Sequence, residues 1–407
     1  MSHQGVSDMK LLVTLQGHFY QVKGKVYSHH LTYDRFASRY LEVFDELLIC
    51  ARLHQLDQVP ADMGQANGPG VQFHPIPNFH GPWQYLKQRS LLKRAVRSAV
   101  QQCDAYCFRM AGQLGIMAWR QLQPGVPFGV EVVADPWLVF APGSIKSLVR
   151  PIVRQRWQRA LQQQCLKAAA VSYVTEHTLQ DYYPAHDHAV TTHYSSIELD
   201  DRHICTDPSA RLARIDQLDH ETIKVGFVGS LSQGHKLPQI HLQAVAACIQ
   251  QGLNLHFHII GDGNRMQAMQ ALSQSLGIAN QVTFHGRLPG GQAVLEAMDS
   301  FDLMLNATAA EGLPRVVIEA MSRGCPCIAS DVGGTSELLE ERFLVPPFDA
   351  KALAQHIQSL LSNHRVMKQA VQRNLTVAHA YKRSVLQERR RLFYQALRDN
   401  TEATQCH

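Results

Sequence analysis

The chain has 407 residues, 45% hydrophobic and 18% charged, the composition of an ordinary globular protein with room for two or three domains. No run approaches the length of apolar residues that a transmembrane helix needs, and the start, MSHQGVSDMKLLVTLQG, has too short an apolar core for a signal peptide. Nine cysteines without a C-x-x-C pair argue against a disulfide framework and for a reducing compartment, so a cytoplasmic location is expected. The net charge of +5 is unevenly placed: residues 1–215 carry 22 Lys and Arg against 17 Asp and Glu, and residues 216–407 carry 17 of each. Such asymmetry marks either a surface that meets anionic lipid or nucleic acid, or a scatter of solvated charges.

In chain order, KLLVTL reads as a strand and YDRFASRYLEVF as a helix. ELLICARL and VQFHPIP follow as strands, then a basic helix from about Trp83 to Val100, then AYCFRM and FGVEVVA as short buried strands. A polar stretch from Leu199 to His220 separates the halves. The alternation restarts with IKVGFVGSL, a helix around QIHLQAVAACIQQ, and NLHFHIIGDGNR. QVTFHGRL, FDLMLNA and PCIAS follow, each strand divided from the next by a helix. Strands separated by helices of this length imply parallel βαβ units. The fold class is therefore α/β, with two Rossmann-like doubly wound domains facing a central cleft. The first covers residues 1–215 and the second 216–381, with a C-terminal helix over 382–400 packing back on the first. Ligands of such sheets bind beyond the carboxyl ends of the strands.

The stretch AAEGLPRVVIEAMSRGCPCIASDVGG holds two glutamates eight positions apart. Pro314 suits a first helical turn, Val317, Ala320 and Met321 keep helical spacing, and Gly324 before Pro326 supplies a stop. Glu311 then lies in the loop before the helix and Glu319 in its second turn, too far apart for a catalytic carboxylate pair. They read as two hydrogen-bond acceptors flanking an anion site made by N–H groups near Gly312 and Leu313. A nucleotide sugar, with hydroxyls on both sides of a diphosphate, satisfies all three elements. On spacing alone, a capping carboxylate and a solvated glutamate fit as well.

Glu311, Glu319, Ala320, Met321, Gly324, Pro326, Gly333, Gly334 and Glu337 stand where the signature of the retaining glycosyltransferases of family four places them, and residues 222–365 resemble that family. The resemblance implies the GT-B fold and transfer of a sugar from a nucleotide-sugar donor. It implies that Glu319 accepts hydrogen bonds from the ribose, that Glu311 contacts donor-sugar hydroxyls, and that main-chain groups of Gly312, Leu313, Pro314 and Arg315 hold the diphosphate. GSLSQGHK is similar to the family's first strand-end loop, with Gly229 at its start and Lys236 as the phosphate cation. Ser230 stands where the family has Arg, and Arg315 or His235 is a substitute. Gly261 and Asp262, with Gly263, match one loop around the base, and Arg287 and Leu288, with Gly286, match another.

In the first half, EVVADPW occupies the place of the family's His-Asp, with Asp135 present and Ala134 at the His position. Asp135 joins Glu311 and Lys236 as a catalytic candidate. Glu131 and Glu176, at the ends of neighbouring strands, are acceptor-side candidates, with a buried, internally satisfied carboxylate as the alternative for each. The subgroup resembled builds bacterial capsule or exopolysaccharide repeats, which implies a glycan acceptor linked to polyprenyl diphosphate. Family enzymes work without a protein nucleophile: the leaving phosphate takes the acceptor proton on the same face of the sugar, and the protein stabilises the diphosphate charge. A nucleotide-sugar 2-epimerase of the same architecture and a non-catalytic partner subunit are the alternatives.

No Asp-x-Asp occurs and the 22 histidines are dispersed, so neither a metal nor another cofactor is implied. Residues 85–100 carry five Lys and Arg and no acid, and residues 144–169 carry six and no acid, with Trp157 among Ile145, Leu148, Ile152 and Leu161. Both suit helices lying on the anionic inner face of the plasma membrane, or solvated faces of packed helices. No aromatic-interleaved basic patch points to nucleic acid.

Overall fold

The computed structural model describes residues 8–60, 63–79, 81–109, 112–140, 149–289 and 291–405. The described residues fall into two compact units. One takes the chain up to Pro136, Ile152–Tyr194 and the chain from Gln387 onward. The other takes Trp137–Pro151 and Ser195–Leu386.

The first unit holds nine strands: β1 (Lys10–Val22), β2 (Lys25–Ser28), β3 (Glu46–Gln55), β4 (Gly64–Gln65), β5 (Val71–Ile76), β6 (Ala105–Arg109), β7 (Gly129–Val132), β8 (Ala170–Tyr173) and β9 (Val190–His193). Seven pair in parallel in the order β5-β3-β1-β6-β7-β8-β9. The middle strands β7 and β8 are buried on both faces, and the polar residues they carry, Glu131 and Ser172, are buried with them. The end of β1 also pairs antiparallel with β2 through a two-residue turn in which Lys23 and Gly24 both have positive φ, 48° and 80°. Two residues with positive φ make the primed turn that suits a twisted hairpin. The helix expected in YDRFASRYLEVF is only a 3-10 stretch, Ala37–Glu42. Both ends of that segment are tied down: the N–H groups of Phe36 and Ala37 donate to Thr32 O and that of Asp45 to Met9 O, so only two 3-10 turns fit between.

The second unit is a six-stranded sheet of β10 (Ile223–Val228), β11 (Leu255–Ile260), β12 (Val282–Gly286), β13 (Leu303–Asn306), β14 (Cys327–Ser330) and β15 (Leu344–Val345). Every pairing is parallel, in the order β12-β11-β10-β13-β14-β15. Strand order therefore reverses between β10 and β13, and such a reversal opens a crevice at the carboxyl ends of those two strands.

Residues 195–215 belong to this second unit, whereas the sequence places them in the first domain. The reason is a set of polar ties. Arg211 donates to the carbonyls of Met298, Asp299 and Arg323, Arg214 pairs with Asp302 at 2.9 Å, and the Cys205 N–H donates to Ser322 O. A stretch rich in polar residues reads as a linker, but these two arginines fasten it to helix ends of the second sheet.

The helix Arg383–Gln405 enters the first unit from Gln387 onward. Phe393 and Leu397 are buried over Gly129 of β7, where a Cβ would lie 2.9 Å from the Phe393 ring and 3.1 Å from Leu397. Beside them Glu131, 1% exposed, pairs with Arg109 at 2.8 Å. The hydroxyls of Tyr40, Tyr194 and Tyr394 donate to the same carboxylate at 2.9, 2.7 and 3.2 Å. Burial pushes the Glu131 carboxyl up, but Arg109 and the hydrogen-bond donors outweigh it and hold the group below the usual carboxylate range. Removing one side of such a pair leaves an uncompensated buried charge, a loss of roughly 3–5 kcal/mol. Glu131→Gln is therefore expected to lower the urea midpoint clearly, and Glu131→Leu with Arg109→Met to recover much of the loss. An unchanged midpoint in Glu131→Gln would show that the network does not support the unit.

Candidate functional site

The crevice between β10 and β13 is where the second unit gathers its candidate residues. Lys236 lies at the end of the loop that follows β10, and Glu311 in the loop that follows β13. Their side chains meet at 2.6 Å, and each is largely shielded, 15% and 12% exposed. The loops are also joined through their backbones, Ala309 N–H donating to His235 O at 2.8 Å.

Beneath them sits His241, on the helix Pro238–Gln250 and fully buried. Its Nδ1 lies 3.1 Å from Leu237 O, which can only accept, so Nδ1 carries the proton. Its Nε2 then accepts from the N–H of Ala307 at 2.7 Å. One neutral imidazole thus holds the residue after Lys236 and the first residue of the loop that bears Glu311. Burial lowers the imidazole to about 3, with Lys236 adding to the effect and the Leu237 bond opposing it.

The remaining strand ends interlock around this point through glycine. A Cβ on Gly261, after β11, would lie 1.9 Å from Gly229 O, and one on Gly333, after β14, would lie 2.1 Å from Glu311 O. Both have positive φ, 144° and 56°, so these crossings exclude a side chain both by space and by backbone conformation. Leu231 N–H donates to Asp262 O, Gly261 N–H to Gly286 O, and Gly334 N–H to Gly312 O. Ser230 turns its hydroxyl to the N–H of Ser232. Arg287 and Leu288 follow directly on β12, Arg287 exposed and Leu288 half-buried.

The helix after Glu311 spans Arg315–Ser322, with Pro314 as its N-cap rather than its first helical residue, and no side chain caps it. The N–H groups of Val317 and Ile318 donate to Pro314 O, so those of Arg315 and Val316 are the first-turn donors without an acceptor inside the helix. Glu319 stands in the second turn, one turn beyond Arg315. Burial raises its carboxyl above the usual range, and the Arg315 charge opposes that shift. His235 is held below its usual value by burial and by neighbouring Lys236. A neutral imidazole there donates a hydrogen bond but supplies no charge, which leaves exposed Arg315 as the cation on this side. Arg265 is a further cation that the motif comparison overlooked: it follows the Gly261–Gly263 turn and donates to Gln239 at 2.8 Å.

The candidates of the first unit do not form one group. Glu131 is enclosed by its four partners and presents no free face to a ligand. Asp135 is buried beyond the end of β7 and accepts from the Tyr183 hydroxyl. Glu176 is exposed, lies 3.8 Å from His193, and lines an open pocket of about 430 Å³ with Tyr173, Gln180, Asp187 and Thr192. Among the described residues, no three His, Cys, Asp or Glu side chains are placed to hold a metal ion.

Residues 222–363, which contain every element of the second site, match the family of glycosyl transferases group 1. Residues 222–363 are a group 1 glycosyltransferase domain. The chain is 24% identical over 331 residues to Protein CapJ of Staphylococcus aureus, covering 80% of each protein. It superposes on the Anabaena Alr3699/HepE structure solved with UDP-glucose, with a TM-score of 0.58 and 20% identity over 98% of this chain and 99% of that one. On WaaG, a glycosyltransferase involved in lipopolysaccharide biosynthesis, the TM-score is 0.61 at 14% identity, over 97% and 99% of the two chains. At these identities the likeness establishes the fold, and the chain has the GT-B fold.

The glycosyltransferase domain's two central loops depend on His241, and nothing in the sequence marks it out among 22 histidines. His241→Phe leaves the buried Ala307 N–H unsatisfied, costing roughly 1–3 kcal/mol, while Leu237 O keeps the Ile240 N–H. His241→Gln, with one amide donor and one acceptor, is expected to recover most of that stability. Because the folded imidazole titrates far below an unfolded one, the folded state binds fewer protons between about pH 6.5 and 3. The wild type therefore loses stability as pH falls through that window, and the Gln variant should lose less. Urea midpoints of the three proteins at pH 7 and pH 5 measure both effects, and equal acid sensitivity would contradict the assignment.

Proposed function

We propose that the protein is a retaining glycosyltransferase that moves a hexose from a nucleotide sugar to a lipid-linked glycan in bacterial surface-polysaccharide synthesis. The observation that carries this reading is the meeting of Lys236 and Glu311 over the crevice, with an uncapped helix N-terminus beside them and Glu319 one turn further on. A nucleotide sugar has one chemical group for each element. The diphosphate takes Lys236 and the N–H groups around Gly312 to Arg315, as anions do at helix N-termini. The hexose hydroxyls take Glu311, and the ribose takes Glu319. Gly261, Asp262, Arg287 and Leu288 border the base. The UDP-glucose bound to the Anabaena protein and the lipopolysaccharide role of WaaG support the same substrate classes.

In this mechanism the sugar–phosphate bond loosens first, and the charge that builds on the leaving diphosphate is met by Lys236 and the helix N-terminus. The acceptor hydroxyl attacks from the same side, and its proton passes to the leaving phosphate oxygen. Asp135 and Glu176 remain the acceptor-side carboxylates with a role to test. Anomeric configuration is the decisive readout. The protein is incubated with labelled UDP-glucose or a related nucleotide sugar and a lipid-linked glycan extract, and the linkage formed is assigned by NMR. Transfer to the glycan with the donor's anomeric configuration retained is expected. Sugar conversion without any acceptor would mean an epimerase, and inverted linkage would exclude the retaining mechanism.

The basic helices support a cytoplasmic protein working at the inner membrane face. The helix Gly81–Val100 buries Leu92, Val96, Ala99 and Val100, while its outer side exposes Trp83, Leu86 and Leu91 among Lys87, Arg89, Lys93, Arg94 and Arg97. Aromatic and aliphatic side chains among cations suit an anionic bilayer surface. The second basic segment is weaker: residues 144–148, with Ile145 and Leu148, lie outside the described residues. Ile152 is exposed and Leu161 buried on the helix Arg150–Cys165, since nine residues separate them by half a turn. No helix among the described residues is long and apolar enough to cross a membrane. Binding to vesicles containing anionic lipid is expected to fall with salt and with Lys87, Arg89, Lys93 and Arg97 changed to Gln. Equal binding to neutral vesicles would instead make the charge an ordinary solvated face.

A further inference from the structure

The Lys236–Glu311 pair has a consequence for the ligand cycle. The Lys236 ammonium has the Glu311 carboxylate at 2.6 Å, and both groups are mostly shielded from water. The loops are fixed by His241 and by the His235–Ala309 backbone bond, so the two side chains are held together by the fold rather than by chance. The ammonium has three donors, but a diphosphate that draws Lys236 toward itself weakens the bond to Glu311 and leaves the carboxylate close to two phosphate charges.

We propose that Glu311 is an internal competitor of the diphosphate for Lys236 and so drives release of the nucleoside diphosphate product. The inference rests on the nucleotide-sugar reading given above. When the intact donor is bound, the hexose hydroxyls supply new hydrogen-bond donors for the Glu311 carboxylate, which compensates it for the loss of the ammonium. Once the hexose has been transferred, those donors are gone. The carboxylate then faces the product's phosphates without a partner, is repelled by them, and reclaims Lys236 as the product leaves. The same pair therefore favours the sugar nucleotide over the bare nucleoside diphosphate, a specificity built from an unfavourable contact as well as a favourable one.

The experiment is calorimetric titration of wild type, Glu311→Gln, Lys236→Met and the double variant with uridine, adenosine, guanosine and thymidine diphosphate in turn. Freeing a largely shielded cation from its carboxylate is expected to tighten binding of the preferred diphosphate roughly three- to tenfold in Glu311→Gln. In the Lys236→Met background the same change should tighten binding clearly less, because it relieves only the repulsion between carboxylate and phosphate and no contested cation is freed. Product inhibition during turnover should deepen in Glu311→Gln by a similar factor. If Glu311→Gln does not fold, Glu311→Asp, whose shorter side chain weakens the pair, should tighten binding in the same direction. Wild type that binds diphosphate, with variants of Glu311 that bind it equally or more weakly, overturns the competition alone. Wild type that binds none of the four diphosphates overturns the nucleotide reading and the inference together.

Discussion

A parallel sheet whose strand order reverses between β10 and β13 sends the next connections to opposite sides, and what fills the crevice left above is decided by the Lys236–Glu311 pair. The pair sits where two loops diverge. It depends on a buried neutral imidazole below, on the His235–Ala309 backbone bond beside it, and on glycine crossings at Gly261 and Gly333 around it. Each of those features would be a defect elsewhere: a polar ring in a core, and glycines where side chains would add packing. Here they let five strand ends approach one another closely.

The molecule uses carboxylates in three environments, and the differences follow from their neighbours. Glu131 has a guanidinium and three tyrosine hydroxyls, stays ionised inside the first unit, and holds the C-terminal helix to its sheet. Glu311 has a single cation that a ligand can take from it. Glu319 has been desolvated with only the opposing charge of Arg315 nearby, which leaves it ready for hydroxyl donors. A carboxylate whose partners are all internal serves the fold, and one with an exchangeable partner is the kind that the proposed function assigns to a ligand.

Much of the second unit was legible in the sequence because its information is local. Strands such as IKVGFV and LHFHII are short apolar runs closed by glycine, and the helix bearing Glu319 shows its period within eight residues. The Glu311–Glu319 spacing and the Lys236 loop could be matched as motifs for the same reason. The first unit was less legible where its structure depends on distant partners. Glu131 is satisfied by Tyr394, 263 positions away, so a strand-end glutamate read as an acceptor contact is a packing device. The boundary at residue 195 depends on Arg211 reaching carbonyls almost ninety positions on. His241 falls within a helix that the sequence predicts, but only the register of two loops shows what its ring nitrogens hold.

The central claim is that one ligand, a nucleoside diphosphate unit, occupies the crevice above β10 and β13. Amide hydrogen exchange with and without the preferred nucleoside diphosphate tests it most directly, because it reports the contacted backbone segment by segment. The account predicts slowed exchange over residues 229–236, 261–264 and 309–319, with little change in the strands of the first unit. Slowed exchange confined to the first unit, or none in the loops that carry Lys236 and Glu311, would contradict it.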